Sequence, residues 1–335
     1  MQNQFSKFEN SFIEKLSKIE VAVISNETLV KDYLQHILKH KTYFLKIYSF
    51  VLSEAVKKTV KSIQNLSILD YGTGNGLLAL YAKHCGFKAV YACDYDTNFI
   101  NAAKRLSQLI NIKIDSFEVS NEYEIKNHFQ DKNIDIVVGT DVIEHVYNLD
   151  IFFSSINSLN TNIISSFTTA SVHDNYFKRK RLETLMLKDE VEFAALRKKI
   201  IQEYDSTLDQ HQSELLAKAT RGLKDSDIKK FVDDFKKTGK LKMININKTN
   251  TCDPISGNFT ERILSLVEYK KIYHLHNVEL QVTSGFYNTS GNFIRQIVLK
   301  ILNTFIIAFS KRYMSRTVAP FILLVGISKN KQYAN

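Results

Sequence analysis

The sequence predicts an α/β fold, a doubly wound and mostly parallel sheet with helices ahead of it and a helical arm inserted late in it. Three observations carry this. Short apolar runs alternate with helix-like stretches over residues 66–170, the order that builds a parallel sheet covered on both faces. A glycine turn, Gly72-Thr73-Gly74-Asn75-Gly76, joins the first apolar run to the first of those helices. Residues 174–240 then break the alternation with charged, proline-free sequence of helical period before β-type runs return.

Taken in order, the first 65 residues read as helical. Val30, Leu34, Ile37 and Leu38 recur at helical spacing, as do Phe44, Ile47, Tyr48, Val51, Leu52, Ala55 and Val56. Strands are expected at 66–71, 89–94, 114–119, 134–140 and 162–168, with helices near 76–86, 97–110 and 147–159. In the arm, Leu182, Leu185, Phe193, Leu196, Ile200 and Tyr204 mark one helix over 176–204, and 215–235 reads as a second. Strand patterns resume at 277–286, where Val278, Leu280 and Val282 alternate with Glu279, Gln281 and Thr283, and at 321–328. Between them, 293–313 carries a wide apolar face flanked by Arg295, Lys300, Lys311 and Arg312. It is too short and too charged to span a bilayer, which takes about 20 apolar residues. A helix buried in the core is expected there, with peripheral membrane contact through 293–313 as the alternative. This divides the chain into an N-terminal helical cap (1–65), an α/β core (66–170), a helical arm or lid (171–250) and a segment completing the sheet (251–330).

Composition narrows the class. Hydrophobic residues make up 44% of the 335, enough for a full core. The three cysteines, Cys85, Cys93 and Cys252, show neither pairing nor metal spacing, and the first two fall in core elements. The N-terminus lacks the basic, apolar, small-residue order of a secretory leader, so a cytoplasmic protein is expected. The net charge is +10, but the lysines spread along helices without clustering among aromatics. That pattern suits a solvated surface better than a nucleic-acid patch.

The glycine turn is the most informative motif. Leu77 stands where a dinucleotide fingerprint needs its last glycine, and no lysine follows as in a phosphate-binding loop. What remains is Asp70-x-Gly72-x-Gly74-x-Gly76, and an acid before the turn suits a cationic ligand better than a pyrophosphate. Asp94 closes the next strand about 20 residues beyond Gly72, the separation of a carboxylate that binds ribose hydroxyls. After the β-branched run from Ile134 comes Asp141-Val142-Ile143-Glu144-His145, whose spacing would gather Asp141, Glu144 and His145 on one side of a helical turn.

Together these segments resemble class I S-adenosylmethionine-dependent methyltransferases: residues 69–76 look like the first motif, Asp94 like the ribose-binding acid, and 141–146 like the segment after the fourth strand. The resemblance covers residues 60–170 well and implies a Rossmann-like, seven-stranded sheet whose last strand is antiparallel. It implies S-adenosylmethionine as cofactor, held by Asp70, Gly72, Gly74, Gly76, Asp94, Tyr95, Ser120, Asn121 and Asp141. His145, with Glu144 beside it, is the expected base for an alcohol acceptor. Asp141, Glu144, His145 and His173 form an alternative divalent-metal set, similar to the metal turn of small-RNA 2′-O-methyltransferases. His173, Asn258, Glu261 and Arg262 are the acceptor candidates, the last three belonging either to a loop over the acceptor or to a helix starting at Asn258. The expected function is O-methylation of a small-molecule or glycan-type acceptor. The rivals are metal-assisted RNA 2′-O-methylation and a non-catalytic scaffold of the same fold. The arm reads equally as a lid, a dimerisation arm or a structural flap, and the oligomeric state stays open.

Overall fold

A computed structural model describes residues 4–241 and 249–328. Residues 1–3 of the expected cap, 242–248 of the expected arm and 329–330 of the last segment lie outside the described residues.

Three helices precede the sheet: α1 (Ser6–Leu16), α2 (Thr28–Lys39) and α3 (Lys41–Val56). The alternation then runs β1 (Ser67–Tyr71), α4 (Leu77–His84), β2 (Ala89–Asp94), α5 (Thr97–Leu109), β3 (Ser116–Val119), α6 (Ile125–Phe129), β4 (Ile136–Thr140), α7 (Leu149–Asn157) and β5 (Ile164–Thr169). The arm follows as α8 (Tyr176–Tyr204), α9 (Gln210–Ala219) and α10 (Asp225–Thr238). A small antiparallel hairpin, β6 (Thr251–Cys252) and β7 (Phe259–Glu261), leads to α11 (Leu266–Leu275) and β8 (Val278–Ser284). The chain continues through α12 (Phe293–Ala308) and α13 (Tyr313–Arg316) to β9 (Ile322–Ser328).

The main sheet has seven strands in the order β3-β2-β1-β4-β5-β9-β8. Strands β1 to β5 pair in parallel, and β9 runs antiparallel between β5 and β8. Side-chain alternation divides the core between the two faces. Ile68 and Val90 pack with α1 to α5 on one side, while Leu69 and Val137 pack with α6, α7 and α11 on the other. Cys85, Cys93 and Cys252 are all buried free thiols.

Two expectations about helices fail. The stretch 215–235 is not one helix, because Gly222 takes a left-handed φ of 76° and divides α9 from α10. The helix expected over 293–313 stops at Ala308, and it is not buried: only Ile306 of α12 lies in the core. Its apolar residues face outward, Phe293 at 76% and Ile294 at 75% exposure. Hydrophobic periodicity marks an apolar face but not what covers it.

Candidate active site

The loop after β1 forms one wall of a cavity of about 560 Å³ at the carboxyl ends of the parallel strands. Gly72 and Gly74 have φ of 67° and 53°, and the space around them is taken. A Cβ on Gly72 would meet Val142 Cγ2 at 2.2 Å, and one on Gly74 would meet the Tyr33 ring at 3.0 Å. Glycine alone suits both positions.

Asp70 and Gly76, expected as ligand contacts, stand behind this wall. Asp70 Oδ2 accepts from the Thr73 hydroxyl at 2.6 Å and from the Ala79 N–H at 3.0 Å, so the carboxyl ties the loop to α4. Burial pushes its pKa up to about 7 against the pull of those two hydrogen bonds. Gly76 caps α4 in the left-handed region and packs on Ala103. Both residues shape the loop; neither lines the cavity.

Asp94 does line it. Its Oδ2 accepts from the Gly74 N–H at 2.9 Å and its Oδ1 from the Asp96 N–H at 3.1 Å, which aims the carboxylate across the β1 loop. Burial raises its pKa, opposed by those backbone bonds. Tyr95, Ser120 and Asn121 continue the same wall, and the Ser120 N–H donates to the Asp94 carbonyl at 2.9 Å.

The segment after β4 forms the facing wall, and it is an irregular turn, not helical. Asp141 has a φ of 50°, and its N–H is held by the Thr168 carbonyl (3.2 Å) and hydroxyl (3.1 Å). Non-glycine residues seldom adopt this conformation, and it aims the Asp141 carboxyl into the cavity. That side chain is open to cavity water yet enclosed by protein. Its pKa is raised by burial, with Lys178 and His145 pulling the other way.

His145 also faces the cavity. Its Nδ1 lies 2.8 Å from the Phe259 carbonyl, which can only accept, so Nδ1 carries the proton and Nε2 keeps a free lone pair. Burial lowers its pKa, but Glu144, the Phe259 carbonyl, Glu261 and Asp141 together outweigh it, and the net shift is upward. Glu144 is turned away from the cavity: it is 1% exposed, and its Oε1 accepts from the Ala170 N–H at 2.9 Å. Burial, then the Asp141 charge, push its pKa up to about 7. It acts on the site by charge, without lining the cavity.

The metal reading is not supported by this geometry. Asp141 faces the cavity while Glu144 turns inward onto the Ala170 N–H, and His173 pairs instead with Asp174 at 3.4 Å, outside the cavity lining. Among the described residues, no group of three or more His, Cys, Asp or Glu side chains is arranged to hold a metal ion.

Of the later candidates, Asn258 lines the cavity, but in a hairpin and not at a helix start. Gly257, with a φ of 83°, turns the chain into β7. Glu261 and Arg262 do not reach the cavity. Glu261 accepts from the Ser171 hydroxyl, and the Arg262 guanidinium donates to the Val146 and Tyr147 carbonyls while lying 4.4 Å over the Phe259 ring. Arg262 thereby pins the 141–147 turn from behind.

The sequence reading missed Tyr33, Phe99, Tyr123, Lys224 and Phe259, which close the cavity. Tyr33 reaches in from α2 and meets Phe99 edge to face at 5.5 Å. Lys224, from the arm, lies 4.4 Å over Tyr123 and 4.9 Å from the Tyr147 ring centre. None of these positions has a local motif. Lys178, in the first turn of α8, was also missed; burial lowers its pKa, opposed first by Asp141.

A family model described as "Methyltransferase domain" matches residues 62–220, the stretch that builds both walls of the cavity. Over these residues, a little under half of the chain, the sequence is that of a methyltransferase domain. The ubiquinone biosynthesis O-methyltransferase of Rickettsia bellii is 36% identical over 99 residues, 30% of this chain and 39% of that one. The ribosomal protein L11 methyltransferase of Paraburkholderia phytofirmans is 45% identical over 42 residues, 12% of this chain and 14% of that one. The chain thus spans about 39% of the length of the first of these relatives. A crystal structure of magnesium protoporphyrin IX methyltransferase from Synechocystis PCC 6803 with bound SAH aligns at a TM-score of 0.41 and 12% identity, over 89% of this chain and 87% of that one. The residues of this site fit S-adenosylmethionine. Gly72 and Gly74 present side-chain-free backbone to the cavity, a carboxylate stands at the end of β2, and the volume suits a nucleoside-sized ligand.

Proposed function

We propose that this chain methylates an oxygen of a small-molecule or glycan-type acceptor, with His145 as the base. The observation that carries the reading is the tautomer of His145: Nδ1–H is spent on the Phe259 carbonyl, which leaves the Nε2 lone pair beside a cavity lined by Asp141. S-adenosylmethionine supplies an activated methyl group when bound. Gly72 and Gly74 would hold it through backbone, Asp94 through the ribose, and Tyr95, Ser120 and Asn121 beside the base. His145 then takes the hydroxyl proton, and Glu144 and Asp141 favour the resulting imidazolium. Orienting acceptor and cofactor together is worth up to about 7–11 kcal/mol of barrier. The O-methyltransferase name of the Rickettsia relative supports oxygen as the acceptor atom, over the matched residues only.

The test is His145→Gln. Methyl transfer should fall by about two to four powers of ten, while calorimetric binding of S-adenosylmethionine stays within about threefold. The wild-type rate should also lose activity on the acid side, with its limb above pH 6.5, because the base is active only when neutral and its pKa is raised. A wild-type rate in the variant removes His145 from the reaction. An absence of cofactor binding in the wild type favours the scaffold reading.

A further inference from the structure

The outer face of α12 takes no part in the site just described. Phe293, Ile297 and Ile301 follow one another at four-residue spacing, with Ile294 and Val298 beside them, and all five are exposed. The opposite face is anchored: Ile306 is buried, and the Asn303 side chain pairs with both the N–H (2.7 Å) and the carbonyl (2.9 Å) of Tyr287. The exposed stripe is therefore a fixed feature of the surface. Tyr313 and Met314, 61% and 59% exposed, extend it past the end of the helix.

Charge identifies what covers it. No Asp or Glu follows Glu279 in the sequence, while Arg295, Lys300, Lys311 and Arg312 surround the stripe. All four are exposed, and among the described residues none of them forms an ion pair. A second copy of this chain would set these cations against one another, whereas a surface of negative charge over an apolar interior satisfies both features. The 16 residues of α12 rise only about 24 Å, and no described helix is long and apolar enough to cross a membrane. A helix of this kind lies in the plane of the interface.

We propose that α12 and α13 dock this protein on an anionic lipid bilayer. The position is consistent with a working arrangement. Ser284 at the end of β8 pairs with Ile322 and donates its N–H to the Ser310 carbonyl, so α12 leaves from the same rim of the sheet as the cavity. Arg316 Nε on Asp174 (2.7 Å) and Asn175 Nδ2 on the Ala319 carbonyl (3.0 Å) tie the segment after α12 to the loop that follows β5. Behind α12, a cleft of about 1070 Å³ runs to α3, lined by Phe50, Phe286 and Ile307 and by Lys46, Lys57, Lys58 and Lys311 against Glu9 and Glu54. Docking would bring that rim and cleft against the lipid.

The experiment is sedimentation of the full chain, without cofactor, with vesicles of phosphatidylcholine alone or with about one-third phosphatidylglycerol. The wild type should pellet with the anionic vesicles, more weakly as salt is raised, and should stay largely in solution with the neutral ones. The pair Ile297→Asp/Ile301→Asp should bind at least about tenfold less while melting at the wild-type temperature, since both positions are exposed. The pair Arg295→Gln/Lys300→Gln should lose the salt-sensitive part. No pelleting of the wild type, equal pelleting of the Asp pair, or equal binding to neutral vesicles overturns the proposal. So does a dimer in solution that the Asp pair dissolves without any vesicle binding, because a second copy would then own the face. No step uses the cofactor, so a failure here is distinct from a failure of methyl transfer.

Discussion

The β1–β4 rim and the helical arm contribute to one cavity by different means. At the rim, side chains are aimed by strand ends and tight turns: Asp94 by the end of β2, Asp141 by a left-handed turn after β4. The arm is held by an interior of its own. Arg197 of α8 is fully buried, with its guanidinium on Glu190 (2.6 Å) and on the Ala217 carbonyl (2.8 Å), and Thr251 donates to the same Glu190 at 2.6 Å. A separate apolar cluster of Ile200, Ile201, Leu216, Ile228 and Val232 joins the three arm helices. The arm reaches the cavity lining through Lys224. The two walls of the cavity are therefore supported by parts of the molecule that can be disturbed separately.

The largest expected effect falls on the rim. Gly72→Ala would force a Cβ to within 2.2 Å of Val142 at a φ of 67°, and calorimetry should find S-adenosylmethionine binding weakened by at least about a hundredfold. Next comes the arm. Arg197→Ala removes the buried partner of Glu190, which keeps Arg221 (3.0 Å) and Thr251, and should cost up to about 3–5 kcal/mol in denaturant melts, with cofactor affinity unchanged. If affinity falls in step with stability, the two regions are one unit and the comparison breaks. A third test concerns pH. The folded pKa of Asp70, about 7, lies above its unfolded value, so its stabilising contribution is full below about pH 4 and is lost as pH rises through 7. Asp70→Asn keeps the two accepted hydrogen bonds and should remove up to about 4 kcal/mol of that pH dependence, measured on the cofactor-free protein. The smallest effect is expected at Lys224→Ala, a few-fold rise in KM for the acceptor with little change in kcat, because the ammonium lies at the edge of the cavity over Tyr123.

The same contrast explains what could be read before the structure. Gly72, Gly74 and Asp94 were legible because close backbone approach and a strand-end carboxylate leave local marks at fixed spacing. The alternating strands were legible for the same reason, down to the antiparallel β9 that the family resemblance implied. Asp70 and Glu144 were recognised as residues but not in their direction, since a motif does not say which way a carboxylate turns. Tyr33, Lys224 and Phe259 come from elements far apart in the chain, and only tertiary packing brings them to the cavity. The outward face of α12 failed for a related reason, because an apolar stripe looks the same in sequence whether protein or something else covers it.

Tyr33 has one further consequence, and it is kinetic. Its ring closes over Gly74, while Asn75 Nδ2 donates to the Val30 carbonyl at 3.2 Å, so α2 is latched to the very loop that a ligand would rest on. For the methyl transfer proposed above, movement of the N-terminal helices would then be a step in ligand release, separate from the chemistry.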